Sequence, residues 1–217
     1  MTQIAIVGGH GQVARELIPR LVAAGHTPVA LIRNDSQVAT VEKLGATARR
    51  LDIEHQDAAA FAAAFEGCHA VVFAAGGGPD GNIERKRTVD LEGSLKSIEG
   101  AKQAGIARFV QISAIGVDLP LPEDTEPVWR AYVEAKRDAD AALRSSGLDW
   151  TVLRPGRLTD DPPTDLVTVA DSASRGDVTR ADVAAVAAEV IDTGAGIGRQ
   201  WDVVGGETPV AQAVARA

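Results

Sequence analysis

Tyr132 and Lys136 stand four residues apart in a segment with helical patterning, so they share one face. A free phenol ionises near pH ~10. A neighbouring ammonium favours phenolate and lowers that value, which predicts a tyrosine able to act as acid or base near neutrality. The chain holds one tyrosine, so chance gives little reason for a lysine at that spacing. Ser113 follows an apolar run at 109–112, and its hydroxyl is expected to hydrogen-bond a substrate carbonyl.

A second constellation lies near the N-terminus. Gly8, Gly9, His10, Gly11, Gln12, Val13 and Ala14 join a short apolar run to an amphipathic segment, with the spacing Gly-x-x-Gly-x-x-Ala. Glycines there permit a tight turn and let a pyrophosphate approach the backbone, and a helix N-terminus supplies free N–H donors. The loop therefore predicts a dinucleotide site, with Gly8, Gly9, His10, Gly11, Gln12 and Val13 as its residues. His10 is equally well read as an exposed loop histidine. The next apolar run ends at Arg33, whose planar donors match a 2′-phosphate, so NADP is expected over NAD. Asp35 keeps NAD open. Lys136 is then placed to hold the nicotinamide ribose as well.

The elements that must position these residues alternate. Strands are expected at 3–7, 28–32, 46–51, 70–75, 109–112 and 150–153, and helices from 13 to Gly25, from 35 to 44, and at 57–65, 82–104 and 128–145. Continuously apolar strands between helices predict a parallel, doubly wound α/β sheet, a Rossmann-like fold. Pro19 inside the first helix should cost it stability. After Pro155 come an expected strand at 166–170, a helix at 180–191, a strand at 201–204 and a short last helix. Residues 1–217 are expected to form one NAD(P)-binding domain, with 156–217 contributing a small substrate lobe. Proline-rich loops at 118–127 and 155–165 are long enough to serve function.

Composition narrows the function. The chain has 217 residues, 45% hydrophobic and 24% charged, which excludes disorder, collagen and coiled coil as whole-chain descriptions. Its net charge of −8 argues against nucleic-acid and anionic-membrane binding. No run approaches the ~20 apolar residues of a membrane span. The start lacks a basic region, and Cys68 is the lone cysteine, so a cytoplasmic protein is expected. The four histidines never fall at metal-ligand spacing, and no metal site is expected.

Together the glycine loop, Arg33, Leu51-Asp52-Ile53, Ala74-Ala75-Gly76, Ser113 and Tyr132-x-x-x-Lys136 resemble the short-chain dehydrogenase/reductase superfamily in type and order. The short length and the run from Ser146 to Gly156 resemble its atypical branch of small NAD(P)H-binding proteins, which includes NmrA-like sensors and biliverdin/flavin-reductase-like enzymes. The resemblance implies that Asp52 and Ile53 contact adenine and that Ala74, Ala75 and Gly76 line its ribose. It further implies Ser113, Tyr132 and Lys136 as the catalytic set, and Pro155 with Gly156 beside the nicotinamide carboxamide. Ala14 replaces the loop's third glycine, and Ser113 lies further from Tyr132 than in compact members.

Three smaller features complete the reading. Trp129 is expected as a partly buried amphipathic ring, Arg85-Lys86-Arg87 as a solvated face, and 123–126 as a solvated acidic turn. The expected function is an NADP(H)-dependent oxidoreductase passing hydride between nicotinamide and a small carbonyl, quinone or flavin-type acceptor. The alternatives are an NADP(H)-binding redox sensor without turnover and a nucleotide-sugar-epimerase-like enzyme. A small-molecule substrate and a monomeric or homodimeric state are expected.

Overall fold

In the computed structural model, which describes residues 2–78 and 80–217, nine strands form one sheet and two more form a small parallel pair. Strand–helix repeats build the first two thirds. Gln3–Val7 (β1) leads through the glycine loop into Gln12–Ala23 (α1), and Thr27–Ile32 (β2) leads through a 3-10 turn into Val38–Lys43 (α2). Thr47–Arg50 (β3) precedes Ala58–Ala64 (α3), and Ala70–Phe73 (β4) precedes Ile83–Arg85 (α4) and Glu92–Gln103 (α5). Arg108–Ile112 (β5), Pro127–Arg144 (α6) and Asp149–Pro155 (β6) follow. The remainder is Arg157–Thr159 (β7), Leu166–Ala170 (β8), Asp177–Thr179 (β9), Arg180–Thr193 (α7), Arg199–Gly205 (β10), Thr208–Pro209 (β11) and Val210–Arg216 (α8).

The sheet order is β11-β8-β10-β6-β5-β4-β1-β2-β3. Every pair from β10 to β3 is parallel. The other edge differs from the all-parallel expectation, because β8 runs antiparallel to both β10 and β11. The strand order reverses at β1, which lies between β2 and β4, and such switch points open a crevice at the strands' carboxyl ends.

Alternation along each central strand divides the core. Ile4 and Ile6 pack with α1, α7 and α8 on one face, while Ala5 and Val7 pack with α3 and α5 on the other. The alanines of α7 are buried nearly all round, which lets that helix lie close to both the sheet and α1. Pro19 costs less than the sequence implies. It shares the exposed side of α1 with Arg15, so the carbonyl it deprives of a donor faces water.

Two corrections concern the site. The helix expected over 82–104 is interrupted: Lys86–Leu91 is a π-helical segment between α4 and α5. Residues after Pro155 extend the main sheet through β10, β8 and β11, and only the β7/β9 pair stands beside it.

Candidate functional site

The glycine loop turns tightly because side chains do not fit. Gly8 has φ +79°, and a Cβ there would meet the Ala75 backbone at 2.7 Å. A Cβ on Gly9 would meet the Ala30 backbone at 2.7 Å. The Gly9 amide donates to Leu31 O at 2.9 Å and that of Gly11 to Gly8 O at 2.8 Å, which clamps the loop onto β2 and onto itself. No side chain caps α1, and its first turn holds no acidic residue. By contrast Asp57, Glu126 and Thr179 cap α3, α6 and α7. Among the described residues the first α1 amides are thus left without a side-chain acceptor, which fits a dinucleotide pyrophosphate.

A cleft of about 270 Å³ opens beside this loop. Gly8, His10, Gly11, Arg33, Asp52, Ile53, Ala74, Ala75 and Gly76 all line it. Four other cofactor candidates lie elsewhere. Gly9 and Val13 are buried beneath the loop, Gln12 faces Asp160, and Pro155 lines a second cleft. Asp52 turns its carboxylate onto its own turn, accepting from the Glu54 amide at 3.0 Å and meeting His55 Nδ1 at 3.1 Å. Burial raises that carboxyl, but the His55 and Glu54 contacts outweigh it and hold Asp52 below its ordinary value.

Glu54 organises the far rim. Its Oε2 lies 3.1 Å from Arg33 NH1 and 3.8 Å from Arg85 Nε, and its Oε1 accepts from Thr88 Oγ1 at 2.9 Å. Two guanidinium groups therefore share one carboxylate oxygen. Sequence reasoning found Arg33 but missed Glu54, Arg85 and Thr88.

The second cleft, of about 940 Å³, is lined by Ser113, Trp129, Tyr132, Pro155, Gly156, Lys86 and residues of β7 and its surroundings. The segment Gly76–Gly78 passes from one cleft to the other. Trp129 is 46% exposed, its ring 5.3 Å from that of Tyr132, so it is more open than expected. The basic triplet is not a uniformly solvated face: Lys86 is buried at the second cleft, Arg85 lines the first and pairs with exposed Asp80 at 2.9 Å, and exposed Arg87 pairs with Glu84 and Glu92. The acidic turn also has a task, since Glu126 accepts from the Val128 and Trp129 amides at 3.0 and 3.1 Å and starts α6.

Tyr132, Lys136 and Asp140 form an i, i+4, i+8 stripe on α6, and Lys136 and Asp140 are buried. Lys136 does not line either cleft. Its Nζ lies 3.2 Å from Asp90 Oδ1 and donates to Ile112 O at 3.2 Å, while Asp90 Oδ2 accepts from the Gly77 amide at 2.8 Å. The π-helical segment buries Asp90 for this pairing. Burial pulls the Lys136 ammonium down, but Asp90 and then Tyr132 outweigh it and hold it above its ordinary value.

The expected lowering of the tyrosine is overturned. Burial raises the Tyr132 phenol above its ordinary value of 10.0, and the opposing pull of Lys136 is smaller. The ammonium is 5.9 Å from the ring centroid and spends its charge on Asp90.

Ser113 also differs in detail. Its hydroxyl donates to Asp140 Oδ2 at 2.8 Å, so it meets a ligand with a lone pair rather than a proton. Asp140 also accepts from Gln111 Nε2 at 2.7 Å and from Arg154 Nε and NH2 at 3.0 and 2.8 Å. Burial pushes the Asp140 carboxyl up against the pull of Arg154. Arg154 reaches on to Asp118 at 2.8 Å and pins the proline-rich loop. The spacing Tyr132, Lys136, Asp140 was the available signal for this network, because a third polar residue at i+8 continues the face.

Comparisons with known proteins point to the same class of cofactor. The sequence model described as NAD(P)H-binding matches residues 8–194. The uncharacterised sugar epimerase YhfK of Bacillus subtilis (strain 168) is 34% identical over 98% of this chain and 98% of its own length. A solved structure from Bacillus halodurans, described as a candidate NAD-dependent epimerase/dehydratase, is 37% identical, covers 100% of both chains and superposes with a TM-score of 0.92. ChuY, an anaerobillin reductase from Escherichia coli O157:H7, is 25% identical, with 94% of this chain and 97% of its own covered and a TM-score of 0.77. The amide-rich glycine loop, the cleft beside it and these matches place the chain in the NAD(P)H-binding family, among proteins of oxidoreductase type.

Proposed function

We propose that the protein is an NADPH-dependent reductase acting on a small carbonyl, quinone or flavin-type acceptor. The observation that carries this reading is the cleft of about 940 Å³ that gathers Ser113, Tyr132 and Pro155 next to the dinucleotide cleft. When bound, the dinucleotide supplies a hydride from its reduced nicotinamide ring. For a carbonyl acceptor, Tyr132 would give its phenolic proton to the oxygen as the C=O π pair moves onto it. Ser113, fixed by Asp140, places a lone pair beside the phenol. Lys136 acts on this arrangement through position, tying α6 to Asp90 and to the end of β5.

Arg33 and Arg85 favour NADP over NAD in this proposal. A 2′-phosphate would replace Glu54 as their shared anionic partner. Gly8, His10, Gly11, Asp52, Ile53, Ala74, Ala75 and Gly76 would hold the remaining adenosine and pyrophosphate.

The likeness to a sugar epimerase and to an epimerase/dehydratase favours a second reading, an epimerase or dehydratase. Net consumption separates the two, since an epimerase regenerates its cofactor each cycle. Purified protein is expected to oxidise NADPH faster than NADH with a naphthoquinone, a free flavin or an aldehyde. Saturable NADPH binding without oxidation by any of these acceptors would sink the reductase reading.

A further inference from the structure

The lining of the second cleft holds four cations and two carboxylates, although the protein as a whole has a net charge of −8. Its charged lining is Lys86, Arg157, Arg175 and Arg180 against Glu126 and Asp177. Most of these are spoken for. Arg157 pairs with Asp177 through two contacts, one at 2.8 Å. Arg180 pairs with Asp160 at 2.8 Å. The Glu126 carboxylate accepts the first amides of α6. Two cations remain. Lys86 is 5% exposed; among the described residues it has no hydrogen-bonded carboxylate, bonding the Gly78 carbonyl oxygen, approaching the Tyr132 ring at 5.9 Å and acting at longer range on Asp80, which Arg85 holds at 2.9 Å. Arg175 makes no hydrogen bond or ion pair among the described residues. Its guanidinium covers Gly116, where an added Cβ would come within 2.9 Å of NH2.

A buried ammonium without a carboxylate partner is costly. A π-helical turn that aims one at a cleft is therefore informative about the ligand. Beside Ser113, the uncharged side chains of the lining are mainly apolar or aromatic, among them Ile115, Val128, Trp129, Tyr132 and Leu158. We propose, on the basis of the reductase reading, that the acceptor joins an apolar conjugated body to a carboxylate. Trp129 and Leu158 hold the body, and Arg175 with Lys86 receives the carboxylate.

The test is calorimetric titration of the NADP-loaded protein with 3-(1,4-naphthoquinon-2-yl)propanoate, its neutral methyl ester and UDP-glucose. The acid is expected to bind about tenfold or more tighter than the ester, as suits charge-assisted hydrogen bonds. Arg175→Gln, a change at an exposed position, should erase most of that difference and leave NADPH affinity unchanged. Lys86→Met should do the same if it folds, and Arg175→Gln decides the matter if it does not. Equal binding of acid and ester, binding of neither, preferential binding of UDP-glucose, or an Arg175→Gln effect on NADPH in place of the acid would each overturn the proposal. Tight, Arg175-dependent binding of the acid without NADPH oxidation would uphold the carboxylate site and contradict the reductase reading.

Discussion

Tyr132 sits where burial and charge compete, and burial wins. A phenol held above 10.0 stays protonated through the neutral range, which suits a proton donor in reduction and makes a poor base for the reverse reaction. Its competent form is present below that value and is lost only as pH rises through it. Carbonyl reduction is thus expected to show no phenol-linked fall below pH 10.0; a Tyr132-dependent fall near neutrality would contradict the assignment. At the other cleft, Arg33→Gln is expected to weaken NADPH binding about tenfold or more while NADH changes little. Glu54→Gln, which frees Arg33 and leaves Arg85 its Asp80 partner alone, should raise the preference for NADPH; titrations with the two cofactors check both. The glycine loop, Arg33 and the Tyr132–Lys136 pair were legible because each is a local pattern. Glu54, Arg85 and Asp90 were not, since their partners lie 21 to 46 residues away. The lysine misled for the same reason: spacing shows what it shares a face with, not which carboxylate claims it.

Elements set these distances. α6 begins at a Glu126 cap and Pro127, and its regular turns put Tyr132 at the cleft while Lys136 and Asp140 enter the interior. The π-helical segment then brings Asp90 to Lys136 and Lys86 to the cleft. The strand–helix alternation was readable because long apolar runs with helical or strand periodicity leave little choice. The π-helical segment was not, because its residues are ordinary helix formers and nothing local marks the wider turn. β7 and β9 were also missed, as three-residue strands in polar, glycine-containing sequence show no alternation. Their pairing depends on a close approach at Gly156, where a Cβ would meet Gly176 O at 2.0 Å. Gly156→Ala should push β7 from β9, costing about 1–3 kcal/mol and raising the KM for the acceptor. An unchanged Tm together with an unchanged KM would refute that dependence.

Across the whole molecule, two cores on opposite faces of one sheet hold the clefts at its carboxyl edge. The doubly wound plan followed from the order of elements, whereas the antiparallel β8 edge did not, because pairing direction at an edge is set by tertiary contacts. α8 seals the face that α7 occupies, with Val210, Ala213 and Val214 buried against it. Deleting residues 210–217 should destabilise the fold by several kcal/mol, about 1.5–3 for each buried valine, read as a lowered denaturation midpoint. No helix among the described residues is long and apolar enough to cross a membrane. The central claim is that a cofactor held at the glycine loop gives hydride to an acceptor while Tyr132 gives the proton. The most direct test is single-turnover oxidation of bound NADPH by an aldehyde, comparing the wild-type protein with Tyr132→Phe. The expected result is a hydride-transfer rate lower by about 10²–10⁴ in the variant, with NADPH affinity unchanged. Equal rates in the two proteins would contradict the account.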